Sequence, residues 1–164
     1  MRKIAEEQEA LIEVFPYGVT MGLDFERPVV LFQDEEGKYT VPVWASQASI
    51  HYLLSGLSYQ SLREESGHEV TWKALGRLGI CLEKCVFHKV SGNQQYMDLY
   101  FTGSDQLRKL ESRADKALPF CLSVSSRYFV TAHFMESCRE IESSSLDVLL
   151  AGNKEGNDFY YYMN

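Results

Sequence analysis

Residues 81–102, CLEKCVFHKVSGNQQYMDLYFT, constrain the fold of this chain more than any other stretch. Two runs rich in β-branched and aromatic residues flank the turn signal Ser91-Gly92-Asn93. In the second run Met97, Leu99 and Phe101 alternate with Tyr96, Asp98 and Tyr100. Successive side chains of a strand point to opposite faces, so the first set faces a core and the second the other side. A hairpin with one buried face is marginal by itself and requires more strands and a covering layer.

The remaining segments supply both. Residues 11–22 and 28–33 read as two strands joined by a polar turn, Gly37 lies in a charged loop, and YTVPVW (39–44) is a third strand, which together predict a β-meander. Pro42 has no ladder donor, so its strand lies at an edge or turns that nitrogen outward. Residues 45–56 predict a helix with Ile50, Leu53, Leu54 and Leu57 on its apolar stripe and His51 as a packing histidine. After the polar connection SYQSLREESG, a second helix places Val70, Ala74, Leu75 and Leu78 on its apolar face and stops at Gly79, with Gly76 packed closely against a neighbour. QLRKLES is a weaker strand, a short helix opens near Asp115, and RYFVTA is the last strand. The order predicts an α+β fold: a mainly antiparallel, meander-like β-sheet packed with a few helices.

At 164 residues the chain is expected to form one domain over 1–132, followed by a helical appendage and aromatic tail over 133–164, whose Tyr160 to Tyr162 dock on the body or on a sister subunit. No apolar run approaches the roughly 20 residues of a membrane helix, and MRKIAEEQEALIEVF lacks the apolar segment of a signal peptide. A cytoplasmic protein without membrane contact is the expectation. Cys81, Cys85, Cys121 and Cys138 form no C-x-x-C pair and are expected to be buried reduced thiols. The net charge of −7 disfavours a broad basic surface for nucleic acid but leaves room for a locally basic cleft.

ERPVVLFQDEEGKYTVPVW, then His68-Glu69 twenty-four residues after Trp44, then HKVSGNQQYMDLYF, then Arg113 with RYFV fourteen residues beyond it, resemble the bifunctional nuclease family from about Leu11 to Val130. Val41-Pro42-Val43-Trp44 repeats a third strand that in the family reads leucine-proline-isoleucine-tryptophan. Gly67-His68-Glu69 stands where the family has threonine-histidine-aspartate, and Arg113-Ala114-Asp115-Lys116-Ala117 where it has arginine-proline-serine-aspartate-alanine. The resemblance implies a compact α+β domain with an eight-stranded or similar sheet, homo-oligomeric association, and cleavage of RNA and DNA. The chain departs from the pattern at Ser49, Glu64, Gly67 and Lys116, where the family has glutamate, arginine, threonine and aspartate.

Phosphodiester hydrolysis needs an activated water, charge stabilisation on the phosphoryl oxygens and a proton for the leaving oxygen. His68, Glu69, Arg113 and Asp115, at two helix starts, are the candidate catalytic set, with Glu69 and Asp115 as hard oxygen ligands for Mg²⁺ or Mn²⁺. Backbone N–H groups at both helix ends favour an anion there. The same residues also serve as ordinary helix starts, with Asp115 as N-cap and Glu69 offsetting the macrodipole. The loss of two acids and reversal of one charge leaves a second reading open, an oligomerising interaction domain that keeps the fold without the chemistry.

Overall fold

The computed structural model describes residues 9–21, 27–57, 67–124 and 126–145. Its elements are β1 (Leu11–Met21), β2 (Pro28–Gln33), β3 (Thr40–Trp44), α1 (Gln47–Leu57), α2 (Gly67–Arg77), β4 (Cys81–Ser91), β5 (Gln94–Thr102), β6 (Lys109–Arg113), α3 (Ala114–Ser123), β7 (Arg127–Thr131) and α4 (Ala132–Ser145). The strands form one seven-stranded sheet in the order β3-β2-β1-β7-β4-β5-β6. The β4–β7 pair is parallel and the other pairs are antiparallel. The expected α+β class with a mainly antiparallel sheet therefore holds. Pro42 lies in β3, an edge strand, where a missing ladder donor is tolerated.

The alternation in β5 is as expected: Met97, Leu99 and Phe101 join the core, which also takes Val14, Phe32, Phe87, Leu118 and Phe134. Phe32, Phe87 and Tyr128 pack ring to ring across β2, β4 and β7, and Phe134 of α4 closes the cluster 5.6 Å from Phe87. Gln95 curls the sheet. Its Oε1 accepts from Trp44 N at 2.7 Å and its Nε2 donates to Pro42 O at 2.9 Å. One buried amide thus gives the edge of β3 the acceptor and donor that a neighbouring strand would supply. Arg27 reinforces the closure, its guanidinium over Trp44 and its Nη1 donating to Asn93 O in the β4–β5 turn.

Several sequence expectations are corrected. Val70 and Leu78 are 55% and 71% exposed and α2 buries no residue fully; its inward side carries Trp72 and Leu75. Trp72 meets Phe120 of α3 edge-on at 6.1 Å, so α2 leans on α3 along that side. His51 is exposed, as is Cys81, while the other three thiols are buried and none of the four forms a disulfide. Among the described residues Gly76 has no close neighbour: a Cβ there meets no atom within 4 Å. Gly76→Ala is accordingly expected to stabilise the protein by about 0.5–1 kcal/mol, through helix propensity and a less flexible unfolded chain. A urea midpoint that falls in this variant would show that the site is not open.

The stop of α2 follows the sequence closely. Gly79 adopts φ +73°, Gly79 N donates to Gly76 O and Ile80 N to Leu75 O, which is the Schellman pairing, and Ile80 packs with Leu75 in the core. Phe134 and Cys138, beyond the expected boundary at 132, belong to the same core as the sheet. Among the described residues no helix is long and apolar enough to cross a membrane. The connection containing Arg63 and Glu64, and the tyrosine tail, lie outside the described residues.

Candidate functional site

His68 and Glu69 lie in the first turn of α2, both half-buried. The His68 ring stands 6.5 Å from that of Phe120, so the start of α2 adjoins α3. Arg113 is the last residue of β6 and the N-cap of α3, in extended conformation (ψ 136°) and without a side-chain capping bond. Asp115 is therefore in the first helical turn and not at the N-cap, where its charge offsets the macrodipole. Its carboxylate accepts from Arg113 Nε at 3.0 Å and Nη2 at 2.7 Å. This fork occupies both oxygens of Asp115 and orients the guanidinium along the protein. Asp115 and Phe120 are separated by about 7.5 Å of helical rise, which sets the scale between the His68 contact and the Arg113–Asp115 pair.

Of the departures from the family pattern, Ser49 is fully buried and within 3.3 Å of Ser46 Oγ, and Lys116 is exposed on α3. Ser46 also accepts from Ser49 N through its hydroxyl, so this serine pair starts α1. A buried hydroxyl satisfied in this way has a structural use and supplies no metal ligand.

A second concentration of polar groups lies on the sheet face opposite the core. Asp98 of β5 is directly paired with Glu111 of β6, an arrangement of like charges that is unfavourable unless a cation intervenes. Between Phe87 and Lys89 the β4–β5 register shifts by one residue, a bulge that lets both His88 and Lys89 reach the outer face. His88 Nε2 thereby comes within 3.3 Å of Asp98 Oδ1 and 3.2 Å of Glu111 Oε2. Lys109 Nζ sits 2.7 Å from Asp98 Oδ2, and that carboxylate holds the lysine above its ordinary pKa.

Beside this group, cations and rings alternate across four strands. Lys109 lies over Tyr100, Lys84 over both Tyr100 and Phe129, and Arg127 over Phe129, at 5.1–5.9 Å from the ring centres. Arg127 is also held by both oxygens of Glu13 on β1, whose carboxyl is lowered in pKa chiefly by that hydrogen bond. The row places two rings and three cations of β4–β7 within reach of one extended ligand, on a chain that is otherwise acidic.

Sequence reasoning placed Asp98 on the outer face but did not single out His88, Asp98, Glu111 or Gln95. The signal for the first three was slight: a histidine beside a strand's centre and one acid in each of two following strands. Only the bulge and the β5–β6 register bring them together. No protein-family model matches the chain, and no curated protein proves similar to it.

Proposed function

We propose that the protein is a metal-assisted nuclease that hydrolyses phosphodiester bonds of RNA and DNA, with a low turnover set by its reduced acid count. The reading rests on the resemblance to the bifunctional nuclease family and is supported chiefly by the packing of the α2 start against α3, the helix whose first turn carries Asp115. In this reading His68 protonates the leaving oxygen, Glu69 and Asp115 hold Mg²⁺ or Mn²⁺, and Arg113 pairs with a phosphoryl oxygen. Lys84, Lys109 and Arg127 supply further contacts to the backbone of a single strand, so binding falls steeply with salt.

The Arg113–Asp115 fork favours one competing reading, an oligomerising interaction domain of the same fold, because it engages both oxygens that a metal needs. One experiment separates the two. Purified protein is incubated with labelled single-stranded RNA and DNA in Mg²⁺, Mn²⁺ or excess EDTA, beside a Glu69→Gln, Asp115→Asn double variant. The nuclease reading expects slow, salt-sensitive turnover with metal, none in EDTA, and at least about 100-fold less in the double variant. Turnover in EDTA, or an unaffected double variant, overturns the site assignment. No turnover with either metal, together with a solution mass above the 18.8 kDa monomer, favours the interaction domain.

A further inference from the structure

We propose that His88, Asp98 and Glu111 form a binding site for a divalent transition-metal cation, with Zn²⁺ as the best match. The site lies on the outer face of β4–β6 and is distinct from Glu69 and Asp115. Three features carry the proposal.

The first is donor chemistry and spacing. One imidazole nitrogen and two carboxylate oxygens suit Zn²⁺, which takes nitrogen and oxygen ligands at about 2.0–2.2 Å. Two ligand atoms of a tetrahedral ion with bonds of about 2.05 Å stand about 3.3 Å apart. The His88 Nε2 contacts measure 3.3 Å to Asp98 Oδ1 and 3.2 Å to Glu111 Oε2. All three donor atoms lie within 4.8 Å of one another.

The second is a polar group left unsatisfied. The Asp98 side chain is only 6% exposed, and its Oδ1, aimed at His88, has no hydrogen-bond partner among the described residues. His88 Nε2 is buried and likewise makes no hydrogen bond: it is near both carboxylates, yet its contacts lack hydrogen-bond geometry. A buried carboxylate oxygen and a ring nitrogen facing each other without a bond cost free energy in the protein alone. A metal between them satisfies both.

The third is orientation and access. Lys109 holds Asp98 Oδ2 at 2.7 Å and so fixes the carboxylate with Oδ1 toward the site, as groups around a metal's ligands commonly do. With both acids ionised, Asp98, Glu111 and Lys109 sum to a formal charge of −1 (−1 −1 +1), which still attracts a cation. The side chains of His88 and Glu111 are 22% and 50% exposed, which gives an ion a path in and a solvent-facing fourth position.

The proposal does not depend on the nuclease reading, because binding is measured without activity. Full-length protein carrying Cys81→Ser, which removes the exposed thiol, is titrated with Zn²⁺ by calorimetry. His88→Gln, Glu111→Gln and, as a control in exposed acids of the β2–β3 loop, the Glu35→Gln, Glu36→Gln pair are compared in the same background, with circular dichroism to verify that each is folded. The expected result is one tight Zn²⁺ site per chain, bound at least about tenfold more weakly in His88→Gln and in Glu111→Gln, and unchanged in the Glu35, Glu36 pair. Co²⁺ in place of Zn²⁺ is expected to give the visible absorption of a tetrahedral nitrogen–oxygen site. Absence of Zn²⁺ binding, undiminished binding in either single variant, or a cobalt–thiolate band would each overturn the proposal.

Discussion

Gly103→Ala is expected to destabilise the protein by more than about 4 kcal/mol, a loss reserved for changes that force backbone apart. A Cβ on Gly103 would stand 1.8 Å from Gly79 O and 2.8 Å from Gly79 C, far inside van der Waals contact, at a φ of +89°. Gly79 has little freedom to retreat, since it closes the Schellman turn of α2 and leads into Ile80 at the rim of the core. The left-handed conformation alone costs an alanine about 1–2 kcal/mol, and the collision adds the remainder. Gly92→Ala isolates the first term: its φ is +59° and a Cβ there meets nothing within 4 Å among the described residues. Thermal unfolding should therefore show a small drop for Gly92→Ala and one of about 10 °C or more for Gly103→Ala. Equal midpoints for the two variants would mean that the approach of Gly103 to Gly79 is not as tight as described.

How far the sequence foretold the structure depended on the distance over which each feature is determined. Met97, Leu99 and Phe101 were legible because alternation is local, and Gly79 because a helix stop is written in a few neighbouring residues. The inward side of α2 was misread because Val70, Ala74 and Leu78 match a 3.6-residue period as well as Trp72 and Leu75 do; contact with Phe120 of α3 decides between them. Asp98 shows the limit most clearly. Its assignment to the outer face was right, but its burial arises from Lys109 and His88, residues of two other strands brought there by register and by a bulge. Arg113 and Asp115 were singled out as a pair of helix-start residues, yet only the extended conformation of Arg113 turns its guanidinium back onto the Asp115 carboxylate.

Phe134→Ala carries the other large effect, because the end of the last strand is not the end of the core. Phe134 is fully buried and 5.6 Å from Phe87, and Thr131 Oγ1, in the residue before α4, accepts from Phe134 N at 3.1 Å. That bond caps the helix and sets the direction in which Phe134 enters the core. Removing the ring deletes its transfer free energy and leaves a cavity lined by Phe87 and its neighbours, a combination that costs about 3–5 kcal/mol. Glu136→Ala, two residues on and exposed, changes the same helix without touching the core and is expected to shift stability by less than about 0.5 kcal/mol. Paired urea unfolding curves decide the matter: similar midpoints for the two variants would make α4 an appendage to a core that ends at β7. A selective loss in Phe134→Ala instead makes α4 a fourth covering helix, one on which the parallel β4–β7 pair at the centre of the sheet depends.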